Sequence, residues 1–281
     1  MARRAPQRPH AIVLGTDFTA GSRIAQARAV ELALRYGAAL HVVHADSPLP
    51  RALTRRFSSL DHDKPSDALS ALIEELRDAG VDAHAHLMQA DPVKAMTTKA
   101  RAVAADLVVV GTRGGSVLEA MIGSTAERLI ASDQHRVLLV RRPTDRPYRK
   151  VVIAANEASR LSEQAAAAAF ISTKPFTVLH AYEAPFESSL IRHGASVAEL
   201  SGYTTAARRE AELTMGKLMA KAGLEPSRLV LHHGSPFRLL ERFDPDSLIV
   251  LSRGRSRARQ LLFGSVTRAV VAYGRSDVAL I

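Results

Sequence analysis

The sequence contains no cysteine and no tryptophan, and only 5% of its 281 residues are aromatic. A chain without cysteine forms neither disulfides nor thiolate metal sites. It also lacks any apolar run near the roughly 18 residues that a membrane span requires. The basic segment 1–10 leads into the strand-like residues 12–17, not into the apolar core of a signal peptide. We therefore expect a soluble, cytoplasmic protein with no membrane partner.

The charge is one-sided, with 38 basic against 28 acidic side chains and a net charge of +10. Such an excess can indicate a nucleic-acid partner. However, the basic residues are spread along the chain, with one denser run at 253–259, and the few aromatic rings offer little stacking surface for single strands. A solvated basic surface is the simpler interpretation, and we do not predict nucleic-acid binding.

The two halves of the sequence repeat each other. Six segments match in the same order along the chain. Among them, residues 12–17 match 151–156, 110–114 match 250–254, and 123–124 match 264–265. We predict two copies of one domain, 1–143 and 148–281, separated by a polar linker that carries prolines.

Within each copy, short apolar runs alternate with longer stretches of helical periodicity. The predicted strands lie near 11–16, 39–45, 82–88, 106–111 and 136–141, and in the second copy near 150–155, 176–182, 228–232, 247–251 and 277–281. The first-copy helices are expected near 21–36, 66–80, 92–104 and 118–132. This alternation predicts an α/β fold with a parallel sheet that is covered on both faces. Segments 46–65 and 184–198 lack periodicity, and we interpret both as mobile loops.

The segment after the fourth predicted strand is rich in small residues. The apolar run ends at Gly111, Gly114 follows, and Gly123 precedes Ser124 and Thr125. In an open parallel sheet, ligands bind beyond the carboxyl ends of the strands, where the strand order reverses. Glycine there permits positive φ and a close approach of the backbone to a ligand. The start of the following helix, with its free N–H groups and two hydroxyls, suits a phosphate.

Simpler explanations exist for each element taken alone. Ser124 or Thr125 can be an ordinary helix cap, and the glycines can form a tight turn. The order of the glycines matches neither the phosphate loop GxxxxGK[ST] nor the GxGxxG sequence that follows a first strand. The combination after a buried strand favours an anion or nucleotide site, to which Arg113 could add positive charge.

These motifs resemble the universal stress protein family. The resemblance is carried by GTRG, a spacer and GST, together with an early strand that ends in TDFT. It extends over nearly the whole chain, once in each half. The resemblance implies two open five-stranded parallel sheets of order 3-2-1-4-5 with helices on both faces. It also implies that the two domains pack as an intramolecular pseudo-dimer, with a further homodimer as an open alternative.

The resemblance also implies a ligand, which is ATP or another adenine nucleotide, with Mg²⁺ as a candidate companion ion. Adenine and ribose would be held at the end of strand one and after strand two, and the glycines with the following hydroxyls would wrap the ribose and phosphates. The implied residues are Thr16, Asp17, Ala45, Gly111, Arg113, Gly114, Gly123, Ser124 and Thr125.

Both copies depart from the family pattern. In the first copy, the spacer between Gly114 and Gly123 is eight residues long, one shorter than the family's nine. The second copy has Asn156 in place of the aspartate, and the sequence match sets Leu251 where the first glycine is expected. An amide cannot offer a ribose diol the acceptor pair of a carboxylate. We therefore predict the nucleotide site chiefly in the first copy and a weaker site in the second, at Asn156, Ala181, Arg253, Gly254, Gly264 and Ser265.

Histidines form the other notable pattern. His84 and His86 share one face of a predicted edge strand, and His232 and His233 occupy the matching strand. We predict no metal site there, because no third ligand has a suggestive spacing. His44 recurs as His180, which indicates a shared packing or hydrogen-bonding role.

No catalytic constellation stands out in the sequence. The leading hypothesis is a non-enzymatic, nucleotide-binding module in stress response or signalling, with slow ATP hydrolysis at most. The alternatives are an interaction module whose sites have decayed and, with less support, an enzyme that processes adenine nucleotides. The protein partners stay unknown.

Overall fold

The structure is a computed structural model, and it describes residues 9–46, 65–112, 124–132, 135–143, 147–241, 243–252 and 265–281. The chain divides into two compact units. The first contains Met1–Arg146 and Asp277–Leu280, and the second contains Pro147–Ser276 and Ile281.

The first unit is built from alternating strands and helices. Its elements are β1 (Ala11–Thr16), α1 (Ala20–Tyr36), β2 (Ala39–Ala45), α2 (Pro65–Asp78), β3 (Ala83–Met88), α3 (Pro92–Ala102), β4 (Leu107–Gly111), α4 (Ser124–Ala131) and β5 (Val137–Val140). The strands pair in parallel in the order β3-β2-β1-β4-β5. The predicted α/β class, parallel pairing and strand order are therefore confirmed in this unit.

A strand from the far end of the chain also belongs to the first unit. This strand, β10 (Asp277–Leu280), pairs antiparallel with β5, and Val278 faces Leu139 in the register. The predicted arrangement of two separate five-stranded sheets is therefore matched only in part. The reason is that the last strand of the second repeat pairs with β5 and is grouped with the first unit.

The central strands of the first unit are buried on both faces. Consecutive residues of β1, Ile12 to Leu14, have no solvent exposure, and Leu107 to Val109 of β4 have none either. Since neighbouring side chains of a strand point to opposite faces, burial of consecutive residues means that both faces are covered. The continuously apolar sequence of these strands predicted this.

The second unit repeats the plan with differences in its helices. It contains β6 (Lys150–Ala154), α5 (Leu161–Ile171), β7 (Phe176–Tyr182), α6 (Glu187–Arg192), α7 (Val197–Ala222), β8 (Leu229–His233), α8 (Pro236–Glu241), β9 (Ser247–Leu251) and α9 (Ser265–Tyr273). Its strands pair in parallel in the order β9-β6-β7-β8. This is the order of β4-β1-β2-β3 in the first unit.

The interpretation of 184–198 as a loop is wrong. Helix α6 occupies Glu187–Arg192, and Ser196 caps the 26-residue helix α7. The Ser196 hydroxyl accepts from the Glu199 N–H, and the Glu199 carboxylate accepts from the Ser196 N–H at 2.8 Å. This reciprocal capping box satisfies two backbone donors at the helix start, a local signal that hydrophobic periodicity does not report. The other predicted loop, 46–65, lies almost entirely outside the described residues.

Helix α3 begins as the sequence predicts. The Asp91 carboxylate accepts from the Val93 and Lys94 N–H groups, and Pro92 occupies the first turn. An aspartate cap followed by proline starts a helix because proline lacks the N–H that would otherwise need a partner there. No helix of the described residues is long and apolar enough to cross a membrane.

Candidate functional site

A cavity of about 180 Å³ opens at the carboxyl ends of β1, β2 and β4, where the strand order of the first unit reverses. Its lining residues are Gly15, Thr16, Asp17, Thr19, Ser22, Val43, His44, Ala45, Pro92, Met96, Val110, Gly111, Thr112, Thr125 and Ala126. Five of the nine predicted first-copy residues, namely Thr16, Asp17, Ala45, Gly111 and Thr125, therefore meet in one cavity.

The remaining predicted residues fall elsewhere or cannot be described. Ser124 is the first residue of helix α4. Arg113, Gly114 and Gly123 lie outside the described residues. Sequence reasoning missed Thr19, Ser22, Thr112 and Met96 as lining residues. The hydroxyls of the segment TDFTAGS were the available signal for the first two.

Asp17 carries the negative charge of this cavity wall. Its carboxylate accepts a hydrogen bond from the Thr19 N–H at 3.1 Å and another from the Thr19 hydroxyl at 2.6 Å. Burial alone would raise the pKa of the Asp17 carboxyl, but the hydrogen bonds from Thr19 and Ser22 together lower it. The group is therefore ionised at neutral pH and offers acceptors to hydroxyl donors, whereas it would repel a phosphate.

His44 fixes the end of β2 against the end of β1. Its Nδ1 lies 2.9 Å from the carbonyl oxygen of Thr16, and its ring contacts that of Phe18 with centroids 4.7 Å apart. In the second unit, His180 Nδ1 lies 3.0 Å from the carbonyl oxygen of Ala155. A carbonyl accepts only, so Nδ1 is the donor in both units. The predicted shared hydrogen-bonding role of His44 and His180 is confirmed.

Gly111 needs to be glycine for a reason that the sequence did not reveal. A Cβ at this position would lie 2.1 Å from the carbonyl oxygen of Gly21, in the first turn of α1. Gly111 is not among the residues of positive φ, so the expectation of a left-handed conformation is wrong for it. Glycine here permits helix α1 to pack against the end of β4, and the same approach forms one wall of the cavity.

A hydrogen-bonded ion pair joins two helices that border the cavity. The Arg128 guanidinium on α4 donates to the Asp91 carboxylate at 2.8 Å. The hydrogen bond from Arg128 is the main reason that the pKa of Asp91 is lowered. The helices that carry Pro92 and Thr125 are therefore tied together by a pair that joins the start of α3 to the last turn of α4.

The second unit has a corresponding cavity of about 130 Å³ at the ends of β6, β7 and β9. Its lining residues are Ala154, Ala155, Asn156, Ser159, Leu179, Ala181, Pro236, Leu239, Leu240, Leu251, Ser252, Val266 and Thr267. Two residues of the predicted weaker site, Asn156 and Ala181, thus line one cavity, and Ser265 is the first residue of α9. Arg253, Gly254 and Gly264 lie outside the described residues.

Strand register corrects the match between Leu251 and Gly111. Leu14 pairs with Val109 in the first unit, whereas its counterpart Ile153 pairs with Val250 in the second. Leu251 therefore corresponds to Val110, which is equally buried, and Ser252 corresponds to Gly111. Alignment of the two Arg-Gly pairs had shifted the sequence match by one residue. The expectation that Leu251 stands in the place of the family's first glycine is therefore wrong.

Three histidines cluster on strands β2 and β3. His41 Nδ1 lies 3.0 Å from His86 Nε2, and the His41 and His84 rings stack with centroids 4.9 Å apart. Burial, followed by the positive charge of Lys99, lowers the pKa of His86 to about 4. Among the described residues, no group of three or more histidine, aspartate or glutamate side chains is arranged to hold a metal ion.

The fold and the cavity define the class of the protein, an open parallel α/β protein in tandem copies with a cavity at the reversal of strand order in each. The sequence profile of the universal stress protein family matches residues 9–141 and again 147–281. The chain therefore belongs to the universal stress protein family and carries two tandem domains.

Individual relatives agree with this assignment. A universal stress protein of Thermus aquaticus is 33% identical over 140 residues, which cover 46% of this chain and 97% of that protein. A universal stress protein of Methanocaldococcus jannaschii is 27% identical over 139 residues, which cover 47% of this chain and 82% of that protein. The crystal structure of a universal stress protein from Archaeoglobus fulgidus shares the fold with a TM-score of 0.67 and 15% identity, covering 96% of this chain and 97% of that one.

Proposed function

We propose that the first unit binds ATP or another adenine nucleotide and that the protein acts as a nucleotide-responsive module in stress response or signalling in the cytoplasm. One observation carries the proposal. Five residues that the family resemblance implies for this ligand line a single cavity in the first unit.

The chemistry of the cavity wall suits a ribose better than any other part of the ligand. Asp17 is ionised, and at the mouth of the cavity it offers acceptors to the 2′ and 3′ hydroxyls. The small side chain of Ala45, the last residue of β2, leaves room for a flat base. The phosphates would then extend towards the start of α4, where free N–H groups and the positive end of the helix dipole favour negative charge. Mg²⁺ would accompany the phosphates.

Matched blocking variants test the proposal. Ala45 and Ala181 occupy corresponding positions, and each lines the cavity of its own unit. We expect ATP with Mg²⁺ to bind the wild-type chain in isothermal titration calorimetry and Ala45→Trp to abolish most of that heat, while Ala181→Trp retains it. Circular dichroism of both variants controls for folding. Equal loss in both variants, or no heat with the wild type, would reject the first-unit site.

One observation favours the interaction-module alternative. Gly111 is required by the packing of α1, so its presence needs no ligand to explain it. If this alternative is right, the purified protein will bind no purine nucleotide, and both blocking variants will remain folded. Analysis of nucleotide products in the same mixtures tests the enzymatic alternative, since a binding module converts little or no ATP. Pairing of the two repeats as a pseudo-dimer stays a prediction, and antiparallel pairing of β5 with β10 supports it.

A further inference from the structure

The cavity of the second unit has a different chemistry from that of the first, although corresponding residues build both. Strand register equates Asp17 with Asn156 and Thr16 with Ala155. Where Thr125 lines the first cavity, Val266 lines the second. These three exchanges remove one charge and two hydroxyls from the wall, whereas Thr267 adds a hydroxyl where Ala126 lines the first cavity. Among the described residues that line the second cavity, none carries a charged side chain.

The polar groups that remain at this cavity largely bond to one another. The Asn156 side-chain oxygen accepts from the Ala158 N–H at 3.0 Å and from the Ser159 hydroxyl at 3.2 Å. The Ser252 hydroxyl reaches the Ser159 hydroxyl at 3.4 Å, which links the ends of β9 and β6. Ser252 therefore has a side chain at the position where the first unit has Gly111, and that side chain takes part in these hydrogen bonds.

The backbone change behind this difference lies at the start of the adjacent helix. Helix α1 begins three residues after Asp17, whereas α5 begins five residues after Asn156. The later start removes the helical turn whose carbonyl, at Gly21, excludes a side chain at Gly111. Ser252 consequently fits without the conflict that an alanine at position 111 would meet.

Leucine side chains dominate what is left of the wall. Leu179, Leu240 and Leu251 are 7%, 2% and 3% exposed, and Val266 of α9 also lines the cavity. An apolar cavity of roughly 150 Å³ accepts a benzene ring, so about 130 Å³ that opens to solvent suits a single flat ring system. A ribose diol would meet Asn156, whose side-chain oxygen already accepts two hydrogen bonds, where the first unit offers the Asp17 carboxylate, and burying the diol unpaired is unfavourable.

We propose that the second-unit cavity binds a flat, uncharged ring compound, such as a free nucleobase or a simple aromatic, in preference to a nucleotide. This inference goes beyond nucleotide binding in the first unit and does not depend on it. It revises the expectation of a weak second nucleotide site. The two units of one chain would then respond to two ligands of different chemistry.

Methyl NMR of the full chain separates the two cavities without any substitution. Leucine lines only the second of the two cavities and methionine, as Met96, only the first, among the described residues. With labelled leucine and methionine methyl groups, adenine and indole should shift the Leu240 and Leu251 signals. ATP with Mg²⁺ should shift Met96 and bind the second cavity at least about tenfold more weakly than the better ring compound.

Two variants complete the test. Ala181→Trp should abolish the ring-induced leucine shifts, and Ala45→Trp should leave them intact, with unchanged circular dichroism in both. A response to indole alone would identify a simple aromatic as the ligand, and a response to adenine alone a nucleobase. The inference is overturned if neither compound shifts the leucine signals, if ATP shifts them equally well, or if the shifts persist in Ala181→Trp. If ATP leaves the Met96 methyl signal unchanged while a ring compound shifts the leucine signals, only the first-unit nucleotide site is rejected.

Discussion

The carbonyl oxygen of Gly21 lies 2.1 Å from the point where the side chain of residue 111 would begin. Such a distance is impossible for a real Cβ, and the obstacle is backbone, which cannot rotate away as a flexible side chain can. The contact therefore fixes how closely helix α1 packs on the end of β4, and with it the width of the first-unit cavity.

Gly111→Ala is accordingly expected to destabilise the first unit by about 2–3 kcal/mol, because overpacking forces a backbone shift. Urea unfolding, followed by circular dichroism, measures the change. Gly202→Ala is the matched control, since Gly202 lies within helix α7 and a Cβ there would meet nothing within 4 Å. This control should gain up to about 1 kcal/mol. Equal stability of Gly111→Ala and the wild type would contradict the packing explanation.

Asp91 combines two roles that substitutions can separate. As the cap of α3 it accepts two backbone N–H bonds, and it also accepts from Arg128. Asp91→Ala should cost about 1 kcal/mol in the free energy of unfolding, the usual effect of losing a cap. Asp91→Asn should keep most of that stability, because the amide oxygen still caps the helix. Arg128→Ala should cost less than Asp91→Ala, since the pair is exposed to solvent. A larger loss in Arg128→Ala would mean that the ion pair, not the cap, stabilises this region.

The histidine cluster predicts acid sensitivity. The pKa of His86 is about 4 in the folded chain, against 6.5 as its ordinary value. As the pH falls, the His86 ring is therefore protonated in the unfolded chain before it is protonated in the folded chain. The stability that the neutral ring provides is therefore complete above about pH 6.5 and falls as the pH drops from there towards 4. His41 and His84 face His86, and Lys99 adds a repelling positive charge.

His86→Gln should flatten this dependence. The free energy of unfolding, measured in urea between pH 8 and pH 4.5, should fall less steeply in the variant than in the wild type. The difference at pH 8, where the histidine is neutral in both states, isolates any change in packing. Parallel curves for the two proteins across this range would show that the cluster does not sense protons.

Much of the fold follows from the sequence, and the physical reasons are specific. The continuously apolar runs at β1 and β4 predict strands that are buried on both faces, and the alternation with helices predicts their parallel pairing. That topology in turn brings Asp17, Ala45 and Gly111 to one edge of the sheet. The helix start at Ser196 is not predicted from hydrophobic periodicity, because the residues around it show no regular spacing of apolar side chains.

The chemical reason for individual cavity residues is harder to predict from sequence. A glycine that is needed by a helix backbone and one that is needed by a ligand look identical in a motif, as Gly111 illustrates. The equivalence of Ser252 with Gly111 depends on strand register. A sequence alignment that matches the two Arg-Gly pairs is wrong by one residue at this position. Only the pairing of Val250 with Ile153 resolves it.

Identification of the small molecules that freshly purified protein carries tests the first-unit nucleotide site most directly. Native mass spectrometry of the full chain, before and after incubation with ATP and Mg²⁺, should reveal one adenine nucleotide per chain, and Ala45→Trp should lose it. A spectrum of the bare chain under both conditions, from folded wild-type protein, would contradict nucleotide binding in this cavity.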